Sequence, residues 1–114
     1  MVRNGQVFHK EYKNAAVLGT TEPTEIWYVS ISDNDIQNWG YFNKLRVVNA
    51  SDVPIAVRFN HNTDTTLQYA IAAGTMSIWD LTDNIKFDNI ALVNLSAVTD
   101  VAIEELTVDV MKVI

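Results

Sequence analysis

His9 and His61 supply all the imidazole in a 114-residue chain that contains no cysteine. Without a thiolate, neither a disulfide framework nor a cysteine-ligated metal can form. A zinc centre needs three or four convergent ligands. Two histidines far apart in sequence and set among polar neighbours read instead as surface residues. Asp33-Asn34-Asp35 has the opening of a calcium loop, but its glycine arrives only at Gly40 and no glutamate follows at the required offset. The oxygen-rich run Asn60-His61-Asn62-Thr63-Asp64 is accounted for by side chains that hydrogen-bond their own backbone in a turn. The sequence predicts no metal and no cofactor.

Nucleophilic catalysis would need Ser or Thr beside a histidine that a carboxylate orients, and no Gly-x-Ser-x-Gly elbow is present. Glu104 and Glu105 are adjacent, so on a strand they would point to opposite faces instead of flanking one bond. With four glycines and neither a Gly-x-Gly-x-x-Gly nor a Walker pattern, there is no phosphate cradle. No catalytic residue is expected, and the chain is not read as an enzyme.

What remains is binding. Trp27, Trp39 and Trp79 carry flat rings of the kind that stack on a sugar face or anchor a protein partner. Trp27 and Trp39 read as core or rim residues. Trp79 takes the parity opposite to Met76 and Ile78, which predicts a position outside the main core face. Val7, Phe8, Tyr12, Trp39 and Trp79 are the candidate partner contacts.

The elements that must position these side chains are strands. Val, Ile and Thr make up 34 of the 114 residues, and such types suit a pleated, half-buried surface. Glu25–Ser32 is apolar on both parities, as in a strand covered on two faces. Leu45 and Val47 alternate against Lys44 and Arg46, and Ile55, Val57 and Phe59 alternate against Ala56 and Arg58. The Asn49-Ala50-Ser51-Asp52 turn between these two runs predicts a hairpin, with Val47, Ile55, Val57 and Phe59 in the core. Leu67–Ile71, Thr75–Leu81, Ile85–Leu95 and Leu106–Ile114 supply further strands. A phase change within Ile85–Leu95 predicts a bulge near Asp88-Asn89. Helix is confined to Ser32–Gly40, where Ser32 is an N-cap and Asp35 follows three residues on, with a weaker turn possible in Ala97–Glu105.

These spacings predict an all-β fold: a single antiparallel β-sandwich, jelly-roll-like, with about seven strands and one short helical insertion. Residues 25–114 form the sandwich domain. Residues 1–24 are an N-terminal arm, or a first strand plus linker. The arm carries Arg3, Lys10 and Lys13 against Glu11 and Glu22.

The net charge of −6 is uneven, with three basic and eight acidic residues in 58–114 against five and six in 1–57. An acidic half repels phosphate backbones, so nucleic acid is not an expected partner. No apolar run is long enough to span a bilayer and no signal-like segment is apparent, so no membrane partner is expected.

The run Leu45–Ile114 has a recognisable order of parts. A strand leads through Asn49-Ala50-Ser51-Asp52 into Val53–Asn60. The strand Leu67–Ile71, the corner Ala72-Ala73-Gly74 and Ile90-Ala91-Leu92-Val93-Asn94-Leu95-Ser96 follow. This resembles the small β-sandwich structural proteins of tailed bacteriophage virions, such as decoration, neck and tail-associated subunits. The N-terminal arm and the tryptophan-bearing Ser32–Gly40 insertion depart from that pattern. The resemblance implies a non-enzymatic, homo-oligomeric protein that binds other virion subunits, located in the virion after assembly in the host cytoplasm. The alternative is a carbohydrate-binding sandwich module that uses exposed tryptophans.

Overall fold

The computed structural model describes residues 7–20, 26–39, 42–59, 68–80 and 89–113. They form eight strands and one short helix. The strands are β1 (Val7–Lys13), β2 (Ile26–Ser30), β3 (Lys44–Asn49), β4 (Ile55–Phe59), β5 (Tyr69–Ile71), β6 (Thr75–Asp80), β7 (Asn89–Asn94) and β8 (Leu106–Val113), and α1 is Asp33–Trp39. Two four-stranded sheets result, ordered β1-β8-β3-β6 and β2-β7-β4-β5, and every pairing is antiparallel.

Alternation decides which side of each strand faces inward. In β3, Leu45, Val47 and Asn49 are buried while Lys44, Arg46 and Val48 are half-exposed. Leu45, Val47, Val108 and Val110 from the first sheet meet Val29, Ile55, Val57, Ile71, Ile90 and Leu92 from the second in one core cluster. The arrangement is sandwich-like. Strand β7 is buried on both faces.

Several readings of the sequence need correction. The strands flanking Asn49–Asp52 do not form a hairpin, because β3 lies in the first sheet and β4 in the second. Their apolar faces look at each other across the core, a relation that period-two alternation does not distinguish from lying side by side. Strand β2 is not covered on both faces, since it is an edge strand with Tyr28 exposed. Phe59 is half-buried and packs at the core margin. Ala97–Glu105 holds no helix; it makes a bend, a bridge from Val101 to Leu18 and a turn in which Glu104 takes φ 65°.

Of the two roles open to residues 1–24, Val7–Lys13 takes that of a first strand, pairing with β8 from Val7↔Val113 to Lys13↔Thr107. The helix forms where its cap requires: the Asp35 amide donates to Ser32 Oγ at 3.1 Å, and the Ile36 amide to the Ser32 carbonyl at 3.1 Å. The phase change near Asp88 and the polar run 60–66 lie outside the described residues.

Three buried asparagines hold the loops at one end of the sheets. The Asn14 side chain donates to the Ala16 and Ala102 carbonyls and accepts from the Leu106 amide. Asn94 donates to the Leu18 and Thr99 carbonyls and accepts from the Ser96 amide. Asn49 donates to the Val53, Ile71 and Ala72 carbonyls and accepts from the Ser51 amide and hydroxyl. These amides add a further donor to the Val53, Ala72, Leu18 and Ala102 carbonyls and also bind those of Ala16, Thr99 and Ile71, which ties the loops to the strand ends.

Candidate docking surface

The two sheets leave two open sides, and they are closed differently. On the β1–β2 side, α1 lies against the sheets: Ile36 packs on the core, and Asp35 accepts from Lys10 Nζ at 3.1 Å. On the β5–β6 side the closure is aromatic. Phe59, Tyr69 and Trp79 make three edge-on contacts with centroids 5.8, 5.8 and 5.9 Å apart. Such pairs add about 0.5–1.5 kcal/mol each beyond their buried area.

The chain reaches this side through the Ala72–Gly74 corner, which carries it from β5 in the second sheet to β6 in the first. Gly74 has φ 70°, a conformation that costs a side-chain-bearing residue about 1–2 kcal/mol. Strand β6 then turns Trp79 inward beside Leu45 and leaves Met76 and Ile78 outward, 54% and 58% exposed. Trp79 therefore sits on the core face, contrary to the sequence reading, and its two apolar neighbours take the outer face. The opposite parity was legible, but the assignment of inside and outside was inverted. Tyr69, half-exposed beside Trp79, extends the apolar surface around the edge.

Phe8 and Tyr12, the other candidate contacts with described side chains, pack on this chain's own core, and Phe8 stacks on Phe42 at 5.4 Å. Val7 opens β1 and Trp39 closes α1; their side chains lie outside the described residues.

The outer face of the first sheet is charged but balanced. Glu11, Asp80 and Asp109 offset Lys13, Lys44 and Arg46, in a chain whose net charge is −6. Asp109 is fully buried beneath the Arg46 and His9 side chains. It accepts from Arg46 Nε at 2.9 Å and Nη2 at 2.7 Å, and lies 2.9 Å from His9 Nε2. The cluster joins β1, β8 and β3. In the sequence Asp109 is a lone Asp between Val108 and Val110, with no catalytic spacing to mark it.

A pocket of about 260 Å³ opens beside Trp27, lined by Asn14, Ala16, Val17, Leu18, Ile26 and Trp27. It is mainly apolar, and the Asn14 amide is already engaged by loop groups. Among the described residues, no three His, Asp or Glu side chains converge as metal ligands would.

Two groups near α1 titrate late. Burial holds the Tyr12 phenol above its usual 10.0, with the Lys10 ammonium opposing, and the hydrogen bond to Asp35 holds Lys10 above its usual 10.5. Both keep their protons more tightly in the folded chain. Their contribution is complete below those values and is lost as pH rises through them. Among the described residues, the buried Tyr12 hydroxyl has no hydrogen-bond partner. Tyr12→Phe is expected to raise stability by about 1 kcal/mol at neutral pH and to flatten the alkaline decline. Urea unfolding at neutral pH and near pH ~11 checks both, and an unchanged alkaline decline refutes the assignment.

No family model, curated protein or solved structure matches the chain.

Proposed function

We propose that this chain is a non-enzymatic structural subunit of a tailed-phage virion, binding neighbouring capsid, neck or tail subunits and stabilising the particle. The observation that carries the reading is the strand order, β1-β8-β3-β6 against β2-β7-β4-β5. Apart from the β4–β5 pair, successive strands alternate between the two four-stranded sheets, which supports a jelly-roll reading, an architecture used by viral capsid domains, lectins and cupins. This is an argument from fold analogy, joined to the resemblance of Leu45–Ile114 to virion sandwich proteins. The exposed Met76, Ile78 and Tyr69 side chains supply a place for a neighbouring subunit to dock.

Mass spectrometry of density-purified particles is the test. The chain is expected among the major particle proteins, and its absence from intact particles refutes the reading. A carbohydrate-binding role is the second reading, favoured by the Trp27-lined pocket. It predicts glycan-array binding that Trp27→Ala abolishes while the fold is retained.

A further inference from the structure

We propose that β6 pairs antiparallel with β6 of a second copy across a two-fold axis, joining the two first sheets into one continuous sheet. The proposal rests on the docking reading for its choice of surface, but it needs no virion partner.

An exposed strand edge is a template for pairing, and proteins ordinarily blunt it with charge, proline, shortness or a covering element. Three of the four edges here are managed. Strand β1 carries His9, Lys10, Glu11 and Lys13. Strand β5 is only three residues long. Strand β2 starts beside the Asn14–Leu18 segment, with which it shares the Trp27 pocket, and runs on into α1. Among the described residues, strand β6 has none of these protections. It spans six residues, contains no proline, carries one charge at its last position and pairs only with β3 among the described residues.

Its sequence is also self-complementary. With Ser77 on the axis, Met76 of each copy lies opposite Ile78 of the other, and Thr75 lies opposite Trp79. The two exposed pairs merge into one apolar strip on the outer face, which Val48 extends through its pairing with Met76. Facing apolar pairs of this kind are the stabilising unit of a sheet. A one-residue slip would place apolar residues opposite inward-facing ones, so the period-two pattern disfavours it.

Electrostatics permits the contact. Two copies at −6 repel, but the outer face that would be extended is charge-balanced. In this register the two Asp80 residues fall at opposite ends of the paired strands, about 20 Å apart at 3.3 Å per residue. That exceeds the screening length of about 8 Å at physiological salt.

The absence of cysteine makes the register directly testable. In the full chain, Ser77→Cys is expected to oxidise to a covalent dimer, because the two positions face each other on the axis. Val98→Cys, on an exposed loop outside β6, serves as the control for random collision. By sedimentation equilibrium the native chain is expected to dimerise, and Ile78→Lys to weaken dimerisation at least about tenfold while keeping its strand-type circular dichroism spectrum. Ile78 is mostly exposed, so the substitution is not expected to unfold the monomer.

A native chain that stays monomeric at about 100 µM overturns the proposal. So does Ser77→Cys cross-linking no faster than Val98→Cys. If the chain is monomeric yet found in purified particles, β6 pairing fails and the virion reading stands. If it dimerises through β6 yet is absent from particles, the reverse holds.

Discussion

Asn49→Asp is expected to destabilise the protein by about 4 kcal/mol at neutral pH. Asn49 is fully buried, and its amide nitrogen serves three carbonyls, at 2.8 Å to Val53, 3.2 Å to Ile71 and 3.3 Å to Ala72. A carboxylate is nearly the same size but offers only acceptors, so these carbonyls would face another oxygen in a site closed to water. The Val53 and Ala72 carbonyls keep donors in Ser51 and Thr75. The loss therefore comes mainly from the buried, unpaired charge and its repulsion with the three carbonyl oxygens, with about 1–3 kcal/mol from the lost donor to Ile71. The acceptor half of the site, receiving the Ser51 amide and hydroxyl, is unaffected. The deficit should therefore shrink on acidification, since a protonated carboxyl regains one donor. Chemical denaturation across the acid range measures both effects. A loss below about 1 kcal/mol at neutral pH would mean that the loops rearrange at little cost, and the clamp would not be structural.

The second large effect is an asymmetry in the Arg46–Asp109–His9 cluster. Arg46→Ala is expected to cost about 3 kcal/mol, because it takes the guanidinium from a fully buried carboxylate and leaves the His9 ring as its remaining ion-pair partner among the described residues. The double variant Arg46→Ala/Asp109→Ala should cost less than Arg46→Ala alone, since the buried charge then disappears with its partner. Arg46 and His9 retain 41% and 46% side-chain exposure, so either can turn to water once the carboxylate is gone. A double-mutant cycle by urea unfolding decides the point. Additive losses would show that Asp109 is hydrated from outside and does not depend on Arg46.

Much of the fold was legible because it is local. The Lys44–Asn49 alternation fixes one buried and one outer face whatever the strand pairs with. Ser32 caps α1 through a bond only three residues long. The composition, rich in β-branched residues and without cysteine, determined a sheet protein whose core needs no covalent staples. Val47, Ile55 and Val57 reach the core as their parity requires.

Tertiary structure decided which strand lies beside which and which face looks inward. Period-two alternation specifies that a strand has an apolar face but does not name its neighbour, so β3 and β4 read as a hairpin and instead face each other across the core. The same ambiguity inverted Trp79 with Met76 and Ile78, because only the presence of Phe59 and Tyr69 from the second sheet makes the tryptophan side the inner one. Asp109 carries no local sign of its burial. Its partners lie 63 residues away at Arg46 and 100 residues away at His9, and they meet it only because β8 is inserted between β3 and β1. Side-chain periodicity is a property of the chain's own geometry, whereas charge pairing and edge exposure arise only when distant segments are hydrogen-bonded into one sheet.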